Sequence, residues 1–305
     1  HVGSLRLSEE NKEQVRAWFQ KNRGPEGAGE ENRELLRVEN LSFGYTPEVQ
    51  NLKNVSFSVR EGEMVSIVGK NGAGKSTLAK LICGFEKPTA GRICLSGRDI
   101  SGDTIKERAQ RIGYVMQNPN QMISKPLIWD EVEMALLAGN MSAEERKERV
   151  EETLKICGLY PFRKWPVSAL SFGQKKRVTI AGILVQRPQM IILDEPTAGQ
   201  DYHHYTEIME FLKELNAQGF TIVMITHDMH LMLEYTPRAI VFCEGELLAD
   251  TTAAHVLNDP VLVERANLKE TSLYTLSVAC GIEEPQEYTE RFIAYEEAHR
   301  KTQEG

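Results

Sequence analysis

Residues 69–76 read "GKNGAGKS", directly after the apolar run "MVSIV" and directly before the helix-forming stretch "STLAKLICG". A strand that runs into a glycine-rich turn and then a helix leaves few choices of fold. Gly69, Gly72 and Gly74 let the backbone turn its N–H groups inward as an anion nest, and the helix adds its positive N-terminus. In this G-x-x-x-x-G-K-[ST] pattern Lys75 reaches the terminal phosphates and the Ser76 hydroxyl is a magnesium ligand. Glycine makes up about 7% of average sequences, so a chance match in a chain this long is about one per cent. The flanking strand and helix lower it further. The loop predicts binding of a nucleoside triphosphate.

The remaining pattern is that of an α/β core. "MVSIVG", "MIILDE" and "TIVMITH" are apolar throughout, as strands of a parallel sheet covered on both faces are. "LLRVENLSFGY", "NVSFSV" and "RICLSG" alternate like half-buried antiparallel strands, and "AIVFCEGELLA" is read in the same style, with a hairpin turn at Glu244–Gly245. The expectation is therefore a mostly parallel sheet flanked by helices, with a small antiparallel layer attached. Residues 127–157 read as helices inserted between two core strands, and the tail after Pro260 as two or three short helices. Leu273 and Leu276 line one of these, Gly281 ends it, and Phe292 and Tyr295 line the next. Residues 8–22 form a short amphipathic helix with Val15, Trp18 and Phe19 on one face, capped by Ser8 and stopped at Gly24–Pro25. "GPEGAGEEN" then has nothing to bury, and is either a tail or a linker from a preceding domain.

Two further strand ends carry chemistry. "MIILDEPTAGQD" ends an apolar run in Asp194 and Glu195. Asp194 can hold the magnesium, directly or through water, and Glu195 is placed to polarise an attacking water. "TIVMITHD" ends at His227, which as the terminus of a third parallel strand is expected near the γ-phosphate. Asp228 is read as local structure, and His203, His204 and His230 as surface residues.

Composition sets the limits. Net charge over the 305 residues is −8, which argues against nonspecific nucleic-acid binding. No apolar run reaches membrane-spanning length, so any membrane crossing is left to another subunit. Five scattered cysteines without a C-x-x-C fit reduced cytosolic thiols rather than a disulfide scaffold or a zinc site. No signal peptide is recognisable, and the chain opens on "HVGS" without methionine, which suggests either an appended scar or a cut inside a longer polypeptide.

Taken in order, these motifs resemble the nucleotide-binding domain of an ABC transporter, over roughly Leu36 to Leu257. Gly69–Ser76 is similar to Walker A and Met190–Glu195 to Walker B with its catalytic glutamate. Gln117 in "GYVMQNPNQ" resembles the Q-loop, Leu170–Gln174 the signature, Asp201 in "AGQD" the D-loop and His227 the H-loop. Tyr45 in "LSFGY" resembles the aromatic residue that stacks on adenine. The resemblance implies ATP and Mg²⁺ as cofactors. It implies cofactor contacts at Tyr45, Gly69, Asn71, Gly72, Ala73, Gly74, Lys75, Ser76 and Thr77, and metal ligands at Ser76, Gln117 and Asp194. The catalytic set it implies is Glu195, His227, Gln117 and Lys75. Such domains sandwich ATP head to tail, so Ser171, Gly173, Gln174 and Asp201 would act in trans on a partner's phosphate loop. Here the signature reads "LSFGQ", with Phe172 where glycine is usual, and Gln200 stands where the D-loop usually has leucine.

"QNPNQ", "LSFGQKKR", "DEPTAGQD" and the tail from "LKETSLYTL" are most similar to energy-coupling-factor ATPases, which drive prokaryotic uptake of vitamins, their precursors or metal ions. The resemblance implies the second ATPase domain of a fused chain: residues 1–35 as the end of the first plus a linker, 36–257 as the ATPase with a helical subdomain at about 118–180, and 258–305 as a dimerisation segment. It implies two partners, a second ABC ATPase domain, identical or different, and an integral membrane subunit gripped by the groove at about 117–131. Its place would be the cytoplasmic face of the membrane, and no nucleic-acid partner is expected. The alternative reading is a soluble ABC ATPase acting on nucleic acid or ribosomes. The short, cysteine-poor helical insert and the acidic linker argue against it.

Overall fold

The structure is a computed structural model that describes residues 8–21, 33–46, 48–199, 202–268 and 272–303, without the side chains of 202–203, 230 and 296–303. Within these bounds the chain runs α1 (Glu9–Lys21), β1 (Glu34–Phe43), β2 (Leu52–Arg60), β3 (Met64–Val68), α2 (Lys75–Cys83), β4 (Ala90–Leu95), β5 (Arg98–Asp99), α3 (Ile105–Ala109) and β6 (Ile112–Val115). It continues through α4 (Ile128–Met134), α5 (Ala143–Ile156), α6 (Phe172–Leu184), β7 (Met190–Asp194), α7 (Tyr202–Ala217), β8 (Thr221–Thr226), α8 (Met229–Tyr235), β9 (Arg238–Cys243) and β10 (Glu246–Thr252). Four helices close it: α9 (Ala253–Asn258), α10 (Pro260–Arg265), α11 (Ser272–Ala279) and α12 (Pro285–Gln303).

A six-stranded sheet in the order β10-β9-β3-β8-β7-β6 is parallel except for β10, and a four-stranded antiparallel sheet has the order β2-β1-β4-β5. The apolar runs follow from burial on both faces. In β7, Ile191 and Leu193 point into a core shared with α4 to α7, while Met190 and Ile192 point into one shared with the antiparallel sheet and α2. β8 splits the same way, with Ile222 and Met224 on one side and Val223 and Ile225 on the other.

One strand differs from expectation. Arg238–Cys243 is parallel, paired with β3 in register from Val65↔Arg238 to Val68↔Val241. Ala239 to Phe242 are all buried, so the segment is an interior strand, and only its hairpin with β10 is antiparallel. The turn falls where expected, with Glu244 at φ 51° and Gly245 at φ 85°. The tail also differs in one respect: α12 has 19 residues and is no short helix. None of the five cysteines is in a disulfide.

The N-terminal helix is bound to the other end of the chain. Ser8 accepts from Asn11 N, and Val15, Trp18 and Phe19 pack against Leu273, Leu276, Cys280, Ile282 and Tyr288. Trp18 meets the rings of Tyr288, Phe292 and Tyr295 at 5.9, 5.9 and 5.3 Å. Arg16 donates to Cys280 O and Arg291 to Phe19 O, each at 2.5 Å. The expected stop at Gly24–Pro25 and the acidic linker lie outside the described residues. Replacing Trp18 with Ala removes the ring that joins three others. The expected result is faster amide exchange across 9–21 and 285–295 by about tenfold, a loss of roughly 1–2 kcal/mol of local stability. Unchanged protection in 9–21 would show that α1 is held by something else.

Candidate functional site

The phosphate-type loop leaves β3 between its two parallel neighbours. Gly69 has φ 146°, and a Cβ there would lie 2.2 Å from the Phe242 carbonyl oxygen, so the loop starts pressed against β9. Gly74 has φ 105°, and its Cβ would meet Leu52 Cδ2 and Asn51 O at 2.7 and 2.8 Å. Gly72, with φ 82°, has open space around it, so there glycine serves the backbone conformation alone. Asn71, Gly72 and Ser76 are exposed, Thr77 is half-buried, and Ala73 is buried under the loop, its carbonyl accepting from Gly245 N. Lys75 is buried, and its Nζ donates to Gly69 O (2.7 Å) and Lys70 O (3.1 Å). Burial lowers its pKa, against the opposing pull of Glu195 and Asp194.

β6, β7 and β8 end beside one another at the same sheet edge, where the crevice of an open parallel sheet forms. Tyr114 of β6 donates its hydroxyl to Asp194 Oδ2 at 2.9 Å, and its pKa is raised by burial and then by the Asp194 charge. Glu195 follows Asp194 in the left-handed region at φ 46°, a strained setting for a non-glycine residue, and its N–H still bonds Ile225 O of β8 at 2.8 Å. That turn aims the carboxylate at the neighbouring strand end. Oε1 lies 2.6 Å from His227 Nδ1, and Oε2 lies 3.4 Å from Thr226 Oγ1. Asp228 is local structure as expected: its N–H donates to Thr226 Oγ1 and its carboxylate caps α8 at Leu231 N.

Gln117 is exposed just past β6. The backbone there is held by a residue that sequence reasoning missed. Lys176 of α6 is fully buried, and its Nζ donates to Met116 O (2.8 Å) and Gln117 O (2.7 Å). Burial pushes its pKa down to about 8, with Asp194 and then Glu195 pulling the other way. In "QKKR" it looks like one of three solvated cations. The signal was spacing: Gly173, Lys176, Ile180 and Leu184 form a buried i, i+3, i+7, i+11 stripe on α6.

Ser171 caps α6 in a reciprocal box, with Gln174 N donating to Ser171 Oγ (3.2 Å) and Ser171 N to Gln174 Oε1 (3.0 Å). Phe172 occupies the first helical position and is 40% exposed. A Cβ on Gly173 would meet nothing closer than His204 Cδ2 at 3.8 Å, so packing within the chain does not require glycine there. His204 is not the surface residue expected: it is half-buried and lines a cavity with Ser171, Gln174 and Arg177, because α7 runs beneath the start of α6. The side chains of His203 and His230 lie outside the described residues, as do Gln200 and Asp201.

Tyr45, at the end of β1, is 51% exposed. Its ring stands edge-on to Phe43 at 4.9 Å, and Lys80 Nζ of α2 lies 5.9 Å from its centroid. The structure thus brings together Lys75, Gln117, Asp194, Glu195 and His227 around one sheet edge, with Tyr45 across α2. The signature turn opens α6, about one turn before Lys176.

The family described as "ABC transporter" matches residues 52–198. Among curated relatives, inferred ABC transporter ATP-binding proteins of Enterococcus faecalis and Clostridium perfringens are 60% and 53% identical over 264 and 300 residues. These matches cover 86% and 98% of this chain but 46% and 52% of the relatives, so the chain spans about half the length of the curated relatives it matches. Among solved structures, cbiO1 from Clostridium perfringens, part of the ABC transporter complex cbiONQ, is 33% identical with a TM-score of 0.71. The match covers 77% of this chain and 95% of that one. The ATP-binding cassette MJ0796, solved as a dimer in a post-hydrolysis state bound to ADP and Pi, is 33% identical with a TM-score of 0.61. That match covers 72% of this chain and 99% of the cassette.

Proposed function

This chain belongs to the family of ABC transporter ATP-binding domains, and from that premise we propose that it hydrolyses ATP to power a membrane importer of the energy-coupling-factor type. The observation that carries the reading is the contact between Glu195 Oε1 and His227 Nδ1 beside the Lys75 loop. It holds a carboxylate at the mouth of a phosphate cradle with its other oxygen only loosely engaged. The oxygen donors of Ser76, Gln117 and Asp194 are the hard ligands magnesium takes, and Ser76 and Gln117 are exposed. When bound, the ion neutralises charge on the phosphates. Lys75 binds and orients the terminal phosphates from the loop, while Tyr45 offers a π face to the base. Glu195 Oε2 orients the attacking water and accepts its hydrogen bond, and His227 keeps that carboxylate turned. The rest of the rate comes from alignment in a closed site.

Closure needs a second ABC domain, whose phosphate loop would receive Ser171, Gly173, Gln174 and Asp201 of this chain. Gly173 supports that reading, since close approach from outside explains a glycine that packing does not. The double length of the curated relatives supports a fused pair, in which residues 1–35 connect to a first domain, 36–257 form the ATPase and 258–305 join the two. None of the helices among the described residues is long and apolar enough to cross a membrane. This chain would instead lie on the cytoplasmic face, gripping the membrane subunit through the groove at 117–131; Met116, Leu127, Met134 and Leu137 are exposed. The imported solute, a vitamin, its precursor or a metal ion, would be chosen by another protein.

The test is phosphate release from ATP across a magnesium titration, with the chain alone and joined to its companion domain. Magnesium-dependent release is expected, and Tyr114→Phe, which frees Asp194 Oδ2, should raise the magnesium midpoint about three- to tenfold. No release in either form would sink the reading.

A further inference from the structure

We propose that Lys176 is a positioning residue that ties the helix carrying the signature turn to the Q-loop, so that a shift of one is delivered to the other. An ammonium with no solvent exposure costs several kcal/mol to bury unless it is well partnered. Among the described residues Lys176 forms no ion pair. Its partners are two main-chain carbonyls, Met116 O and Gln117 O, at 2.8 and 2.7 Å. These lie just past the point where β6 stops pairing with β7, at Val115↔Leu193. The outgoing chain has left the ladder there, and the lysine supplies the donors that a strand would have supplied. A charge-assisted bond to each carbonyl fixes the direction in which the Gln117 side chain leaves the sheet.

The other end of the link is the helix. Gly173 and Lys176 are three residues apart on the buried face of α6, and Ser171 caps that same first turn. α6 is a rigid rod over this distance, so a partner pressing on the exposed Ser171 moves the ammonium and the two carbonyls with it. Asp194 and Glu195 attract the same ammonium, which sets Lys176 between the signature turn, the Q-loop and the carboxylate pair. A methionine of similar length would fill the space at less desolvation cost, so packing alone does not explain a lysine here.

The inference rests on the proposed reading of Gln117 as a residue on the magnesium and nucleotide side. Its test uses Lys176→Met, which keeps the length and removes the donors, and Lys176→Gln, which keeps a neutral donor. Each is compared with Gln117→Ala and with the Lys176→Met, Gln117→Ala pair. The readout is the affinity for a fluorescent ATP analogue with and without magnesium, together with the melting temperature. Lys176→Met should weaken the magnesium-dependent part of that affinity by about tenfold and leave the magnesium-free affinity within about twofold. Lys176→Gln should recover most of the loss, and the double variant should be no worse than Gln117→Ala. A Lys176→Met protein that only melts earlier, with its magnesium dependence intact, overturns the proposal, as does full additivity in the double variant. If Lys176→Met does not fold, Lys176→Leu, which also removes the donors, takes its place under the same outcomes. Gln117→Ala without effect would remove the reading of the Q-loop and this proposal together, whereas an effect of Gln117→Ala alone removes only the proposal.

Discussion

Glu195→Gln is expected to lower ATP turnover by about 10²- to 10⁴-fold while leaving ATP binding intact, the range for loss of one positioned general base. Glutamine preserves the side chain's shape, and its amide oxygen can still accept from His227 Nδ1, so the contact now at 2.6 Å survives. What is lost is the carboxylate's negative charge and its second acceptor oxygen, the one proposed to orient the water. A site that binds ATP and cannot break it should stay closed, so light scattering of this variant with ATP should show a doubled mass. The MJ0796 cassette, 33% identical, has been solved as a dimer. A doubled mass means "LSFGQ" can close on this chain's own phosphate loop and that Phe172, 40% exposed at the first turn of α6, is no obstacle. A lasting monomer with ATP bound means the loop waits for a different partner's signature. Normal hydrolysis by Glu195→Gln would show that the base is another group.

Gly69→Ala should cost about 3 kcal/mol or more of stability. Two terms add. The backbone at φ 146° is one that side-chain-bearing residues rarely adopt, and the new methyl would stand 2.2 Å from the Phe242 carbonyl oxygen. That oxygen belongs to a strand buried from Ala239 to Phe242 and cannot give way. Gly72→Ala is the control: φ is again positive, at 82°, but the space is open, so only the conformational cost of about 1–2 kcal/mol remains. Urea unfolding of both should show the larger drop at position 69. Equal drops would mean that contact with β9 contributes nothing, and that the loop's conformation alone demands glycine.

These cases mark how far the sequence could be read. The phosphate loop, the carboxylate pair and the histidine were legible because each ends an apolar run, and a run buried on both faces can only be an interior strand. The direction of Arg238–Cys243 was not, since the adjacent turn at Glu244–Gly245 is a local signal and pairing with β3 is not. Lys176 was hidden by its own chemistry. A lysine between a lysine and an arginine reads as solvent-facing, and only the stripe it shares with Gly173 and Ile180 places it inside. Tyr114 was hidden in the reverse way, an aromatic residue in a strand reading as packing until its hydroxyl is found on Asp194. The signature gave the residues at the turn but not their present partners, because Ser171 and Gln174 satisfy each other. Such a reciprocal cap must yield, or share its oxygens, for a ligand to approach from outside.

The docking of α1 on the C-terminal helices also has a consequence for how the chain is made. Phe19 and Arg291 meet across a sequence separation of 272 residues. At about 5–20 residues per second, a ribosome needs roughly 15–55 s to synthesise that interval. Throughout it Trp18 and Phe19 have been produced and their cover has not. Within this chain the aromatic face of α1 therefore waits for its partners for a period set by translation speed rather than by folding.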